Sequence, residues 1–363
     1  MFEGDAIWAL GAMSGTSLDG VDAALVLTDG TSVLERGARA YRPYSEAEKS
    51  VLRSALGRWP GEAGVVEAAK VVLDAHVECL SGVEGAELIG FHGQTLAHDP
   101  KGRGTHQVGD GEALAAALGL PVAWDFRTAD VEAGGEGAPL APFYHYALAA
   151  DLGDDPVAFL NLGGVGNLTW ADPSAGSPDE PGALIAFDTG PANAPIDDLV
   201  QSRRGLARDE GGALAATGAV QAGIVRAFLD HEYFGKRAPK SLDRNDFPDL
   251  LPMVASLSDE DAAATLVACV AQAVLAGFAQ FPALPSRLLV CGGGRHNQAI
   301  MSALHAVLPV VAEPVEAVGL NGDMLEAEAF AFLAVRVARE MPISAPGTTG
   351  VTRPLPGGRL ARP

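Results

Sequence analysis

Cysteine is scarce in this chain: Cys79, Cys269 and Cys291 are the full complement, and they lie far apart. An odd, scattered set excludes a disulfide framework and a cysteine-built metal centre, and it reads as reduced thiols in a cytoplasmic protein. Basic residues are also few, with 25 Lys and Arg against 46 Asp and Glu and a formal net charge of −21. This balance excludes nucleic acid and anionic membrane surfaces as partners, because both are bound through basic patches. No apolar run reaches membrane-spanning length, and no basic stretch leads into an apolar one at the N-terminus. What is present is ample core material. Over 363 residues, 48% are hydrophobic and 20% charged, so two domains are expected rather than one.

The most informative stretch is Gly11-Ala12-Met13-Ser14-Gly15-Thr16-Ser17-Leu18-Asp19-Gly20-Val21-Asp22. The apolar runs Ala6 to Leu10 and Val21 to Leu27 read as strands, with glycines and hydroxyls between them. A turn of this kind aims backbone N–H groups and the Ser14, Thr16 and Ser17 hydroxyls at an anionic oxygen. Asp19 and Asp22 then suit a magnesium ion, which takes a few carboxylates alongside phosphates and water. No Gly-Lys-Ser/Thr follows, so this is not the strand-to-helix phosphate loop. The alternative is a plain hairpin turn.

The phrase recurs. Strands are expected at 6–11, 21–27, 32–41, 88–91 and 122–126, with helices near 46–56, 62–80 and 110–118. A second series begins with strand 157–161 and the turn Leu162-Gly163-Gly164-Val165-Gly166-Asn167. Strands at 168–171 and 183–187 follow, then helices near 219–234 and 261–278. Strand 287–290 runs into Gly292-Gly293-Gly294, then come a helix, a strand at 310–311, and a last helix at 324–339. The Pro/Gly-rich tail reads as a surface segment. Three strands followed by alternating helices and strands, twice over, predict two α/β domains related by duplication and facing one another across a cleft.

Strand 183–187 delivers Asp188 before a Gly-Pro turn, where α/β proteins place reacting groups; Asp188 is either a general base or a cap for the next turn. Arg127 is either a bidentate contact to a carboxylate or phosphate, or a salt-bridge partner of Asp125 or Asp130. Gly134-Gly135-Glu136-Gly137 permits close backbone approach to a ligand or simply forms a loop. His92 and Gln94, after a short buried strand, offer hydrogen bonds to substrate hydroxyls, although a lone histidine there is more often structural. His98 and His106 are too isolated for a metal site. Gly292 to Gly294, with Arg295 and Asn297, let a planar base lie on bare backbone. Glu326 and Glu328 open the last helix, where carboxylates suit the dipole.

Taken in order, these segments resemble the anhydro-N-acetylmuramic acid kinase family of the sugar kinase/Hsp70/actin superfamily. The match runs from Gly11 to about Ala334 and includes His92-Gly93-Gln94-Thr95, Asp125-Phe126-Arg127, Phe187-Asp188-Thr189-Gly190-Pro191, Pro239-Lys240-Ser241 and Glu326-Ala327-Glu328-Ala329-Phe330. The chain departs from the family pattern at Glu136, Ala192 and Leu242-Asp243. The resemblance implies two ribonuclease-H-like (actin-like ATPase) lobes, 1–135 and 136–340, with 341–363 returning to the first. It implies ATP and Mg²⁺ held by Gly15, Thr16, Ser17, Leu18, Asp19, Gly20, Val21 and Asp22, with Gly163, Gly164, Gly292, Gly293, Gly294 and Asn297 completing the nucleotide site. Asp188 would activate water, and His92, Gln94, Arg127, Asn193 and Glu326 would hold a small-molecule sugar. The implied reaction phosphorylates O6 of 1,6-anhydro-N-acetylmuramic acid while water opens the anhydro ring. A homodimer is also implied. The alternatives are a kinase of another anhydrosugar, such as levoglucosan, or a non-sugar ATPase switch of the same fold.

Overall fold

The computed structural model describes residues 4–15, 17–242 and 246–363; of the expected phosphate ligands, Thr16 lies outside them. The elements in chain order are β1 (Ile7–Ser14), β2 (Gly20–Thr28), β3 (Val33–Pro43), α1 (Glu46–Ala55), α2 (Val65–Leu80), β4 (Leu88–Asp99), β5 (Gly104–Val108), α3 (Gly111–Leu118), β6 (Val122–Trp124), α4 (Thr128–Glu132) and α5 (Pro142–Leu152). There follow β7 (Val157–Leu162), β8 (Val165–Ala171), β9 (Leu184–Pro191), α6 (Asn193–Arg204), α7 (Ala222–Leu229), α8 (Leu250–Met253), α9 (Asp259–Phe278), β10 (Leu288–Cys291), α10 (Gln298–Val307), β11 (Ala312–Pro314), α11 (Leu325–Ala338), β12 (Pro342–Ser344), β13 (Leu355–Pro356) and β14 (Arg359–Ala361).

By contact the chain groups into two compact units, one of 1–153, 177–181 and 324–363 and the other of 154–176 and 182–323. Segments 136–153 and 324–340, assigned on sequence to the second lobe, group with the first unit.

In the first unit the sheet runs β14-β6-β4-β1-β2-β3, with β5 on β4; in the second it runs β11-β10-β7-β8-β9. Both contain the same core: an antiparallel meander of three strands whose first member pairs in parallel with the fourth, followed by a parallel fifth. This α/β order is the duplicated ribonuclease-H-like arrangement. The central strands are apolar without alternation, as sheets covered on both faces require; β10, Leu-Leu-Val-Cys, is buried throughout. The edge strand β3 instead carries exposed charged residues that discourage pairing with another chain.

Helix α11 seals the first sheet. Its contact depends on Gly11 in β1 and Gly90 in β4, where an added Cβ would stand 1.9 Å from the Ala327 carbonyl and 2.0 Å from that of Phe330. The helix answers with alanines at 327, 329, 331 and 334 and buries Phe330, Phe332 and Leu333. Each of those large side chains is worth about 1.5–3 kcal/mol in removed apolar surface, and a methyl group at Gly90 would lift them off the sheet. In the second unit α9 fills the same part. Beyond an acidic first turn its 20 residues are apolar enough and long enough to cross a bilayer, yet they pack mostly inside the core.

The tail is not a surface segment. Strand β14 pairs with β6, and Ile343, Ala345, Thr348, Thr349 and Val351 are buried. The helix expected over 219–234 is shorter, α7 ending at Leu229 before a 3₁₀ turn at Glu232–Gly235 capped by His231.

Candidate active site

In the second unit β7 and β8 are joined by a tight turn whose carbonyls face the start of α6. Gly163 O accepts from Asn193 N at 2.9 Å, and Gly164 O accepts from Ala192 N at 2.9 Å. Across a trans peptide the N–H points opposite to the preceding carbonyl, so the Gly164 amide projects away from α6. The Asn193 side chain closes the same turn by donating to Leu162 O at 2.8 Å. Ala192, where the family pattern has glycine, is fully buried.

Three of the turn glycines have no packing reason to be glycine. A Cβ would meet nothing nearer than 3.6 Å at Gly163, 3.5 Å at Gly164 and 3.9 Å at Gly293, and none has a left-handed backbone. These positions leave bare backbone for a ligand to approach. Gly292 and Gly294 differ: a Cβ at Gly292 would strike Asn161 Oδ1 at 2.2 Å, and one at Gly294 would strike Leu162 Cβ at 2.5 Å. Arg295, buried, pins this second turn by donating to Gly292 O at 3.0 Å while pairing with Glu316 at 2.9 Å and Asp323 at 2.9 Å. Asn297, expected to touch nucleotide, is the N-cap of α10, its Oδ1 accepting from Ala299 N and Ile300 N. A polar residue just before a helix is the usual cap.

Asp188 sits at a bulge between β8 and β9, opposite Asn167. Its carboxylate is half-buried and accepts from Asn167 Nδ2 at 2.9 Å and from Leu242 N at 2.8 Å. The backbone is held on both sides: Asp188 N donates to Lys240 O at 2.9 Å, and Tyr233 Oη donates to Asp188 O at 2.5 Å. Lys240 Nζ lies 4.2 Å from the centre of the Tyr233 ring. Burial lowers the Lys240 ammonium pKa, Lys236 adds to that, and Asp188 opposes it. Among the residues around Asp188, Lys240 belonged to a matching sequence segment without an assigned role. On sequence Asn167 reads only as the end of the glycine turn and Leu242 only as a departure from the family pattern, and Tyr233 carries no signal of its own, because their part at Asp188 depends on strand register and on a loop folding back to β9.

In the first unit, Gly15, Ser17 and Asp19 lie in the turn of the β1–β2 hairpin and Asp22 just beyond it in β2. Ser17 and Asp19 are exposed and Asp22 half-buried. Both carboxylates bear on one group, the Tyr41 phenol, whose pKa is raised by desolvation, then by Asp19, then by Asp22. Leu18 and Val21 place their side chains in the core, and Gly20 is required because a Cβ would stand 2.4 Å from Arg42 O; these three offer at most backbone groups. Ser14 and Gln94 do not face outward. Gln94 is fully buried, its Oε1 accepting from Ser14 Oγ at 2.5 Å, and Ser14 also bonds Tyr44 Oη at 3.0 Å. Their expected contacts with phosphate and sugar give way to a buried link between β1 and β4.

Arg127 makes neither of its expected salt bridges. Its Nε donates to His92 Nε2 at 3.0 Å and its Nη1 to Gly137 O at 2.7 Å, while Nη2 donates to no described residue. Burial lowers the guanidinium pKa to about 10, opposed by Glu326 and Asp130, so it remains a cation near neutrality. Glu326 is exposed; desolvation raises its carboxyl pKa and Arg127 counters. His92 uses both ring nitrogens within the protein, with Nδ1 donating to Gly93 O at 2.8 Å. Burial, then the Arg127 charge, pushes its pKa well below the ordinary value. It supports Arg127 rather than meeting a sugar directly. The glycine loop at 134–137 is structural in part: a Cβ on Gly135 would meet Asp130 Oδ1 at 2.2 Å, and Glu136 pairs with Lys101 at 2.8 Å.

A family model described as anhydro-N-acetylmuramic acid kinase matches residues 7–361. A protein of that name from Cereibacter sphaeroides is 65% identical, over 100% of this chain and 98% of its own length. Others so named are 58% identical in a Ruegeria species, over 98% of this chain and 95% of the relative, and 57% in Roseobacter denitrificans, over the same shares. The chain belongs to the anhydro-N-acetylmuramic acid kinase family and is an ATP-using enzyme.

Proposed function

We propose that the protein phosphorylates O6 of 1,6-anhydro-N-acetylmuramic acid with ATP while water opens the anhydro bridge. The products are N-acetylmuramic acid 6-phosphate and ADP, and the step serves cell-wall recycling. The observation that carries this reading is the Asp188 carboxylate, half-buried at the bulge of β9 and gripped by two N–H donors. An ionised carboxylate held in this way is a group able to take the proton of an attacking water. The water oxygen bonds to the anomeric carbon as the C1–O bond of the bridge breaks, and its proton passes to Asp188. The bridge oxygen stays on C6 and takes the γ-phosphoryl group as the bond to ADP breaks.

The bare backbone at Gly163, Gly164 and Gly293 supports a nucleotide site in the second unit. In a chain of net charge −21, neutral amides are a means of meeting phosphate without cations. Asp19 and Asp22 suit Mg²⁺, which needs only one or two carboxylates beside phosphate and water; no group of three or more His, Cys, Asp or Glu suited to a metal occurs among the described residues. When bound, the ion would neutralise charge on the phosphate oxygens. The unspent Nη2 of Arg127 faces the lactyl carboxylate in this reading, with Glu326 on a sugar hydroxyl.

Rapid-quench turnover in ¹⁸O-labelled water tests the reaction: one heavy oxygen enters the anomeric position per ADP formed. ADP release with no label in the sugar, or faster turnover of levoglucosan than of the muramic compound, would overturn it.

A further inference from the structure

The C-terminal tail reaches Arg127 through an unbroken chain of hydrogen bonds inside the first unit. Thr349, with 0% exposure, donates from Oγ1 to Asp130 Oδ2 at 2.6 Å. Asp130, itself buried, accepts at Oδ1 from Gly137 N at 2.7 Å. Gly137 O in turn accepts from Arg127 Nη1 at 2.7 Å. A parallel backbone contact, Glu136 N to Thr349 O at 2.7 Å, fastens the same loop to the tail. The loop is rich in glycine, with Gly134 and Gly137 at left-handed φ of +87° and +69°, and glycines leave a segment more conformations to take unless contacts such as these restrict it. Arg127 is thus aimed from two sides, by His92 at Nε and by the tail-held loop at Nη1.

We propose that Thr349 is a positioning residue for substrate binding: through Asp130 and the Gly137 carbonyl it sets the direction of the Arg127 guanidinium. The proposal rests on the reading that Arg127 meets the lactyl carboxylate. A bidentate or forked contact depends on orientation to within a fraction of an ångström, so a small loop displacement weakens it far more than it disturbs the fold.

The test compares steady-state kinetics of Thr349→Val, Thr349→Ser and Arg127→Ala on two sugars, the muramic compound and the same anhydrosugar lacking the lactyl ether. Thr349→Val is expected to raise KM for the carboxylate-bearing sugar by roughly three- to thirtyfold, to leave its kcat near that of the parent, and to leave KM for the carboxylate-free sugar unchanged. Thr349→Ser keeps the hydroxyl and restores the parent KM. If Arg127→Ala raises KM for the carboxylate-bearing sugar and Thr349→Val does not, the positioning role is overturned while the Arg127 reading stands. If Arg127→Ala itself leaves that KM unchanged, the underlying reading fails. An equal loss on both sugars, or a loss that Thr349→Ser shares, marks Thr349 as merely structural and also overturns the proposal. Asp130→Asn, which preserves shape and weakens the link to Gly137 N, replaces Thr349→Val if the latter does not fold, with the same expected split.

Discussion

Arg127 Nε donates to His92 Nε2 across 3.0 Å, and this contact decides the state of the histidine. An acceptor at Nε2 is an unprotonated nitrogen, so the ring proton lies on Nδ1, which donates to Gly93 O. The ring is neutral, in keeping with a pKa held well below the ordinary 6.5 by burial and the adjacent cation.

Removing that acceptor leaves a guanidinium N–H without its partner. His92→Leu is therefore expected to raise the KM for the sugar with kcat little changed. A hydrogen bond to a charged group, partly replaced by water, is worth roughly 1–2 kcal/mol, or about five- to thirtyfold in KM. Since His92 stays neutral above its lowered pKa, the parent enzyme's KM has no inflection near 6.5 that this variant removes. A KM equal to the parent's would show that His92 does not support Arg127.

Asp188→Asn tests the proposed base while keeping two of the contacts that hold this side chain. The introduced amide can accept from the Leu242 N–H through its oxygen, and Asn167 can turn its own amide to accept from the new NH₂ group, so both contacts survive. Sugar phosphorylation is expected to fall by about 10²–10⁴ while nucleotide affinity, read by calorimetry, holds. Near-normal turnover would remove Asp188 from the base role.

His76 gives the fold a defined acid limit. It is fully buried, its Nδ1 bonds Val72 O, its Nε2 has no partner among the described residues, and desolvation lowers its pKa from 6.5 to about 4. As pH falls below 6.5 the unfolded chain protonates this histidine while the folded one resists. The unfolded state then binds more protons, and stability is lost down to about pH 4, below which both states are protonated and the loss levels off. The full effect is roughly 3 kcal/mol. Denaturant titration at neutral and acid pH, comparing parent with His76→Leu, should show a smaller acid loss in the variant by about that amount. Identical slopes would mean that His76 protonates freely in the native state.

The repeated strand order was legible because buried parallel strands are written as short apolar runs and because each series opens on a glycine turn. The tail was not. Pro and Gly between 346 and 358 signal a loop, and nothing local announces that Thr349 is buried on Asp130, 219 positions earlier. The same blindness to distant pairing placed Gln94 on a sugar when it lies under Ser14, 80 positions earlier in the chain. Asn297 is a different case. Its cap signal was visible, but the preceding glycines drew it toward the nucleotide. Asp188 stood out in the sequence because strand end and turn chemistry are local; the residues that hold it, Tyr233 and Leu242, are 45 and 54 positions away.

Glycines offer the sharpest test of the nucleotide site, because fold and ligand make opposite demands on neighbouring positions. At Gly164 and Gly293 a Cβ meets nothing nearer than 3.5 Å and 3.9 Å, and neither backbone is left-handed. Alanine at either position should leave stability within about 0.5 kcal/mol of the parent, or raise it slightly by narrowing the unfolded ensemble. If ATP lies on this backbone, the added methyl group takes the space of a ligand atom, and the KM for ATP rises by about tenfold or more. At Gly292, with φ +71° and Asn161 Oδ1 at 2.2 Å from a Cβ, alanine instead costs stability on the order of 1–3 kcal/mol through strain and displacement. Thermal melts and ATP kinetics on the three variants separate the two demands. Stable Gly164→Ala and Gly293→Ala proteins with unchanged KM for ATP would place the nucleotide elsewhere.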